Sequence, residues 1–294
     1  MSEIQIFSDG ACDINRDISN QNNIEIIPFY VSLNHIDYYK EIEEISLEKF
    51  YNEMIENNIF PKTSLPSVQD YINSFEKALK KGKDIICITV TDTLSGSYQS
   101  ANTAKIMLEE KYKNSKIIIV NSWNTTGCQT IMLLEIVKMI KAGIEIEKIA
   151  EICEKMRKDS RIIFVVGTLE NLHRGGRIGK VASISGTILN IKPIIVLKNG
   201  EISVGAVSRG RKKAIKKITE LTFEYFKKEN YKDYLFTIGT TNNFDEIEPL
   251  KELILQKLPE AEFYDSFRMG AAVGAHTGRD TLGICFIKKY ENYL

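Results

Sequence analysis

Two turns rich in hydroxyl side chains are the features of this sequence best suited to bind or transform a small molecule. The first spans residues 62–67 and includes Thr63 and Ser64. The second spans residues 91–97 and includes Ser95. Hydroxyl groups at such turns can donate hydrogen bonds to an anion, or one of them can act as a nucleophile.

The second turn lies between a predicted strand and a predicted helix. Residues 85–90 are a short apolar, β-branched run, which predicts a buried strand, and apolar residues at helical spacing follow from residue 98. Ser95 is a good N-cap, and Gly96 allows another group to approach the backbone closely. The free N–H groups at the helix start favour binding of a phosphate or a carboxylate. An ordinary capped helix is the alternative interpretation.

Nucleotide and metal chemistry find no support in the sequence. Neither a G-x-G-x-x-G after a strand nor a G-x-x-x-x-G-K-[ST] is present, and no acidic set suggests a magnesium site. The cysteines are far apart in the sequence and lack the spacing of metal ligands. We therefore expect them to be small, buried apolar side chains of a protein in a reducing cytoplasm. We predict no metal and no cofactor. The five cysteines are Cys12, Cys87, Cys128, Cys153 and Cys285.

Two interpretations of the hydroxyl groups remain. Ser95 and His276 could form the nucleophile and base of a serine-type acyl hydrolase, although Ser95 lacks the G-x-S-x-G context. Alternatively, Thr63, Ser64, Ser95 and His276 converge on one carboxylate, because a buried charge needs several donors. The lack of a nucleotide motif and of a metal site favours a binding protein over an enzyme.

The predicted elements indicate an α/β fold with two domains. Short β-branched runs alternate with helices in residues 1–160, which predicts a mostly parallel sheet with ligands at the carboxyl ends of its strands. In residues 161–294, Asn199-Gly200 separates two strand-like runs and predicts a hairpin, hence a mixed sheet. We therefore expect an N-terminal domain (1–160) and a C-terminal domain (161–294).

Length and charge narrow the class of protein. The chain has 294 residues, 43% of them hydrophobic, and a formal net charge of zero. No sustained basic block suggests nucleic acid or an anionic membrane as a partner, and no apolar run is long enough to insert stably in a membrane. The first residues do not resemble a secretion signal, so we expect a cytoplasmic location.

Charged residues elsewhere have several interpretations. Arg174 and Arg177 flank two glycines, which predicts a flexible cationic loop that binds an anion or a partner, or a solvated surface turn. Arg209 precedes a lysine-rich helix, which is either a solvated face or a docking surface for an acidic partner. Near the N-terminus, we expect Asp9 to cap or bridge and Asp13 to cap the next helix.

A Ser-Gly-Ser-Tyr-Gln-Ser-Ala block at residues 95–101 and a Gly-Gly-Arg-Ile block at residues 175–178 are specific when they occur together. With other blocks spread through the chain, they resemble the DegV family, the fatty-acid-binding proteins of bacteria. Two departures are Leu65, where the family often has glutamine, and Arg279-Asp280, where Pro-Gly is more usual. The matching residues are Ser8-Asp9-Gly10 with Asp13, 62–67, 93–101, 175–178, 192–194, Arg209, and 276–278 with Gly283.

The resemblance implies one long-chain fatty acid in a buried tunnel between two α/β domains. It further implies a carrier subunit of bacterial fatty acid kinase, without activity of its own, that presents the lipid carboxylate to a separate ATP-dependent kinase subunit. The product would be an acyl phosphate for phospholipid synthesis. Arg177, Arg174 and Arg209 would support the ligand site or contact the partner. The residues implied to hold the carboxylate are Thr63, Ser64, Ser95, Gly96, His276 and Thr277.

Overall fold

The structure is a computed structural model that describes residues 3–184 and 191–294. The strands are β1 (Ile4–Asp9), β2 (Ile24–Ile27), β3 (Tyr30–Ser32), β4 (Tyr39–Lys40), β5 (Lys62–Ser64), β6 (Asp84–Thr89), β7 (Ile117–Asn121), β8 (Ser160–Val165), β9 (Ile191–Lys198), β10 (Glu201–Arg209), β11 (Tyr234–Thr240), β12 (Glu262–Phe263), β13 (Phe267–Arg268) and β14 (Leu282–Lys288). The α-helices are α1 (Arg16–Gln21), α2 (Leu47–Glu56), α3 (Val68–Leu79), α4 (Ser97–Glu109), α5 (Thr126–Lys141), α6 (Ile146–Met156), α7 (Glu170–Arg174), α8 (Arg211–Tyr225), α9 (Ile247–Leu255) and α10 (Ala271–Thr277). Short 3-10 segments lie at Gly10–Cys12, Arg157–Asp159, Gly179–Ile184, Tyr231–Asp233, Phe244–Glu246 and Tyr290–Tyr293.

The N-terminal sheet is parallel, with the order β2-β1-β6-β7. Its inner strand β6 is buried along its whole length, as expected for an apolar run covered on both faces. The C-terminal sheet is mixed, with the order β10-β9-β8-β14-β11-β12, and β13 also pairs with β11. The predicted α/β class, with one parallel and one mixed sheet, is therefore confirmed.

The predicted hairpin joins β9 and β10. Asn199 has φ 51° and Gly200 has φ 81°, the left-handed pair that a two-residue hairpin turn requires. The hairpin forms one edge of the mixed sheet, with β10 as the outermost strand.

A third, small sheet has the order β4-β3-β5 and was not predicted. Residues 24–33 are mostly apolar and form two strands instead of one, because Pro28 has no N–H for the ladder and interrupts them at Pro28-Phe29. One part becomes β2 at the edge of the parallel sheet, and the other becomes β3. Thr63 of β5 pairs with Val31 of β3, so this small sheet positions the first hydroxyl turn.

Two predicted helix caps are wrong in detail. Helix α4 has Gly96 at its N-cap, and the Ser95 hydroxyl accepts the N–H of Ser97 at 3.2 Å. Asn15 caps α1, whereas Asp13 accepts the N–H of Gly270 at 2.9 Å. Asp13 therefore supports the distant helix α10 and not the helix that follows it in the chain.

Helix α5 packs between the two large sheets. It contacts β1 and β6 of the parallel sheet and β8, β11 and β14 of the mixed sheet. Leu235 and Ile287 of the mixed sheet join the apolar cluster that α5 forms with α6 and the parallel sheet.

All five cysteines are buried and free. The division into domains at residues 160 and 161 stays a prediction.

Candidate functional site

A cavity of about 220 Å³ lies between the small sheet, α10, the loops at the carboxyl ends of β6 and β7, and the face of the mixed sheet. Its apolar walls combine Ile162 and Phe164 of β8 with Leu197 and Ile202 of the hairpin. This arrangement suits an apolar molecule that carries a polar group. The polar lining residues are Thr63, Ser64, Ser95, Thr125, Thr126, Arg177, His276 and Thr277.

His276 lies in the last turn of α10 and is neutral at pH 7. Its Nε2 is 2.8 Å from the Thr63 hydroxyl, while its buried Nδ1 has no hydrogen-bond partner among the described residues. Burial, with a smaller effect of the Arg177 charge, lowers the pKa of His276 to about 4. A buried N–H without an acceptor is rarer in proteins than a buried acceptor without a donor, so we assign the proton of the neutral ring to Nε2, which then donates to the Thr63 oxygen. The Thr63 hydroxyl is then left to donate into the cavity.

The glycine pair between the arginines forms a packed turn, where the sequence suggested a flexible loop. A Cβ on Gly175 would overlap the Nδ1 of His276, so only glycine fits beside this ring. Arg177 donates from Nε to the Leu94 carbonyl at 3.0 Å and from Nη1 to the Gly175 carbonyl at 2.7 Å. The guanidinium thus links the second hydroxyl turn to the segment that holds His276.

Three of the expected site residues lie outside the cavity lining. Gly96 is the N-cap of α4, and a Cβ there would approach the Leu65 side chain at 3.3 Å. Arg174 pairs with Glu170 at 2.7 Å on the surface. Arg209 is exposed at the end of β10.

The six others meet at the cavity with different exposure. Thr63, Ser95 and His276 are half-buried, and Ser64 is exposed. Thr277 lines the cavity, but its hydroxyl donates to the Val273 carbonyl of its own helix at 3.3 Å. Few hydroxyl groups of the cavity lining are therefore free of a hydrogen bond to their own helix. Arg177 is the sixth of the expected site residues that line the cavity.

The remaining hydroxyls of the second turn serve the fold. Thr91 donates to the Gly200 carbonyl at 3.1 Å, and Thr93 donates to the same oxygen. Ser97 donates to the Asp9 carboxylate at 2.6 Å. The turn therefore attaches the hairpin tip of the mixed sheet on one side and the first strand on the other.

Asp9 acts as the predicted bridge. It also accepts the N–H of Val90 at 2.9 Å and the Gln129 amide at 3.0 Å. Burial raises its pKa above the usual range, against these hydrogen bonds. Asp9 ties together β1, β6 and α5 and does not line the cavity.

The nucleophile interpretation lacks two contacts. Among the described residues, the structure shows no hydrogen bond between Ser95 and His276. The Nδ1 of His276 has no carboxylate beside it to orient the ring, which a serine-histidine mechanism uses. The geometry therefore favours hydrogen-bonded recognition of a polar group.

Sequence reasoning missed two sets of residues around the cavity. Thr125 and Thr126 line the cavity. The sequence placed the ligand at the carboxyl ends of the parallel strands, which includes the loop after β7, but it did not single out these two threonines. Glu41 accepts the N–H groups of Phe29 at 3.2 Å and Ala272 at 2.8 Å. It stands in a stretch with many glutamates, so no pattern marks it.

Residues 3–184 and 191–294 contain neither a metal-binding cluster nor a membrane-spanning helix. No group of three or more His, Cys, Asp or Glu side chains in these ranges is arranged to hold a metal ion. Within the same ranges, none of the helices combines the length and the apolar character needed to cross a membrane.

Comparison with known proteins agrees with this architecture over the whole chain. A family model described as "Uncharacterised protein, DegV family" matches residues 3–289. Protein DegV of Bacillus subtilis is 31% identical over 287 residues, covering 97% of this chain and 99% of that protein. A DegV domain-containing protein of Clostridium perfringens is 31% identical over 288 residues, covering 97% and 99%.

Solved structures give the same result. A stearic acid-binding protein from Eubacterium ventriosum superposes with a TM-score of 0.94 at 30% identity, covering 98% of this chain and 99% of that one. DegV of Bacillus subtilis, described as a fatty acid binding protein, superposes with a TM-score of 0.85 at 30% identity, covering 98% and 100%. The chain therefore belongs to the DegV family.

Proposed function

We propose that this protein binds one long-chain fatty acid in the cavity, with the carboxylate at Thr63, Ser64, Ser95, His276 and Thr277. The observation that carries the proposal is an apolar cavity that meets a cluster of hydroxyl groups, a neutral histidine and one arginine. The description of relatives at 30% identity as fatty-acid- or stearic-acid-binding proteins supports it.

Two contributions hold the ligand in this proposal. Burial of a long acyl chain supplies on the order of 10 kcal/mol before the costs of association, at about 0.8 kcal/mol per CH₂. The carboxylate then needs enough donors to offset its desolvation. The Thr63 hydroxyl, oriented by His276, and the Ser95 hydroxyl supply them, and the nearby Arg177 guanidinium supplies a positive charge.

We further propose that the protein is the carrier subunit of a fatty acid kinase in the cytoplasm and has no catalytic activity of its own. The exposed Ser64 and the half-buried Ser95 leave the carboxylate within reach of a separate ATP-dependent kinase subunit. The bound carboxylate would be the nucleophile, and the product an acyl phosphate for phospholipid synthesis. Arg209 and the lysines at the start of α8 form the docking surface in this proposal.

Native mass spectrometry of the purified protein tests fatty acid binding. We expect one intact fatty acid per chain, and organic extraction would identify its length and unsaturation. An empty protein that cleaves acyl esters would overturn the proposal and favour the hydrolase that uses Ser95 and His276.

Two variants test the role as a kinase carrier separately from lipid binding. Ser95→Ala should lower phosphorylation by the kinase subunit more than it lowers lipid retention, with Ser100→Ala of α4 as a control. Arg209→Glu should abolish phosphorylation while lipid stays bound, and the exposed Lys81 provides the matched control Lys81→Glu. If Ser95→Ala lowers phosphorylation and lipid retention equally, the proposed role of Ser95 is wrong. If Arg209→Glu is phosphorylated as fast as the wild type, the proposed role of Arg209 is wrong.

A further inference from the structure

Two hydroxyl groups of the second hydroxyl turn hold the tip of the β9–β10 hairpin by one carbonyl group. The Gly200 carbonyl accepts the Thr91 hydroxyl at 3.1 Å and also accepts the Thr93 hydroxyl. A carbonyl oxygen has two lone pairs, so these two bonds use both of them. A Cβ on Gly200 would lie 2.8 Å from the Thr91 Oγ1 and 3.4 Å from the Trp123 ring, so the tip packs closely against both side chains. We call the two hydrogen bonds to Gly200 the tip contact.

The same hairpin supplies one wall of the cavity. Ile162 of β8 lies opposite Leu197 of β9, and Leu197 lies opposite Ile202 of β10. All three residues line the cavity, so they form one apolar row across three strands, which we call the hairpin row. Leu197 and Ile202 stand just before and just after the hairpin tip in the sequence. The tip contact therefore fixes the position of the outer part of the hairpin row.

The segment after α7 connects the polar end of the cavity to the hairpin row. At its start, a Cβ on Gly175 would overlap the ring of His276. At its end, a Cβ on Gly179 would lie 3.2 Å from the Cγ1 of Ile202. Arg177 stands between these two glycines and lines the cavity. His276 and the hairpin row therefore contact opposite ends of this segment, and a molecule held at His276 can extend past Arg177 toward the row.

Few strand contacts besides the tip contact restrain this part of the hairpin. Strand β10 is the outermost strand of the mixed sheet, so a neighbouring strand pairs with it on one side only. If the tip were free, a ligand would have to order the hairpin when it binds, and such ordering lowers affinity. A wall that is fixed beforehand gives its full apolar contact to the ligand.

We infer that the tip contact sets the preference of the cavity for the length of an acyl chain, with Thr91 and Thr93 as positioning residues. The inference rests on the proposed binding of a fatty acid whose carboxylate lies near His276. A long chain reaches the hairpin row and gains affinity by burying its last carbons there. A short chain ends before the row, so its affinity does not depend on the tip contact.

Displacement of a fluorescent fatty acid from the delipidated, full-length protein tests the inference. Titrations with hexadecanoate and with decanoate give the ratio of the two affinities. Gly200→Ala places a Cβ too close to the Thr91 Oγ1, which should move the tip and lower the ratio at least fivefold through weaker binding of hexadecanoate. Gly210→Ala is the matched control, because φ is 81° at both glycines but no described atom lies within 4 Å of a Cβ on Gly210.

Removal of the two hydroxyl groups breaks the same contact without adding an atom at the tip. The double variant Thr91→Val with Thr93→Val should lower the ratio at least fivefold as well. Thr130→Val should leave the ratio unchanged, since its hydroxyl donates to the Cys12 carbonyl and it does not line the cavity.

The ratio separates a positioning role from a general loss of stability, which would weaken the binding of both acids alike. An unchanged ratio in either Gly200→Ala or the double threonine variant, or an equal loss of affinity for the two acids, would overturn the inference and leave the proposed function intact. A wild-type protein that binds neither acid would instead overturn the proposed function, and the inference with it.

Discussion

The two ends of helix α10 are held by opposite kinds of polar contact. At its N-terminal end, the carboxylates of Asp13 and Glu41 accept main-chain N–H groups of Gly270 and Ala272. At its C-terminal end, the ring of His276 is uncharged and faces the Thr63 hydroxyl and the cavity. The first end is an anchor inside the protein, and the second end is available to a ligand.

This difference shows how a short helix can position a ligand-binding side chain. Helix α10 has seven residues, which include Gly274, and such a segment has little intrinsic helical stability. Acceptors for its first N–H groups and packing against Tyr51 compensate for that weakness. We therefore expect changes at the anchor to lower the stability of the protein, and changes at the other end to lower ligand affinity.

Removal of the anchor carboxylate should have the largest effect. Glu41→Ala leaves the N–H groups of Phe29 and Ala272 without their acceptor, which should lower the free energy of unfolding by about 3 kcal/mol. Urea denaturation measures this change. The exposed neighbour variant Glu43→Ala should stay within about 0.5 kcal/mol of the wild type. Comparable losses in the two variants would show that Glu41 is not an anchor.

The contributions of the two ends of α10 to the stability of the protein should change with pH in opposite directions. Burial raises the pKa of Glu41 to about 7, so its contribution to stability is lost as the pH rises from 4.5 to 7. Burial lowers the pKa of His276 to about 4, so stability is lost as the pH falls from 6.5 to 4. Each effect is on the order of 3 kcal/mol at most.

Denaturation of single variants across pH 4–7 separates the two contributions. Relative to the wild type, Glu41→Gln should lose less stability as the pH rises from 4.5 to 7, because one carboxyl group with a raised pKa is gone while Asp9 and Asp13 remain. His276→Gln should lose more stability than the wild type over the same range, because no histidine then offsets these carboxyl groups. Parallel pH profiles for the two variants would contradict the assignment of opposite signs.

Displacement of the histidine should weaken ligand binding with a smaller loss of stability. Gly175→Ala places a Cβ where the Nδ1 of His276 lies, and we expect affinity for a fluorescent fatty acid to fall about tenfold, or about 1.4 kcal/mol. Gly176→Ala is the neighbouring control, because it strains the backbone at a φ of 70° while no atom lies within 4 Å of the added Cβ. If both variants lose affinity equally, disturbance of the whole turn and not the position of the ring is responsible.

Loss of a single hydroxyl should have the smallest effect. Thr63→Val keeps the shape of the side chain and removes the donor next to His276, so we expect about fivefold weaker fatty acid binding, or about 1 kcal/mol. Thr103→Val on the exposed face of α4 is the control, since its hydroxyl donates only to the Gln99 carbonyl among the described residues. An unchanged affinity of Thr63→Val would remove this hydroxyl from the proposed ligand contacts.

The difference between the two ends also explains what the sequence could reveal. The hydroxyl turns and His276 stand out because their residue types suit anion binding, and the cavity lining includes most of them. Glu41 does not stand out, because its partner Ala272 is 231 positions away in the chain. Helix α10 was not predicted either, since its alanines and glycines have no amphipathic pattern and its stability comes from distant contacts.

The sequence by itself determined the α/β class, the parallel and mixed sheets, and the hairpin at Asn199-Gly200. These features depend on local periodicity and turn chemistry, which neighbouring residues set. Only the tertiary structure decided which hydroxyls face the cavity. Ser95 and Thr93 are two positions apart, yet Thr93 donates to the Gly200 carbonyl and Ser95 lines the cavity. Their difference arises from the approach of a hairpin more than 100 residues away, which no local pattern encodes.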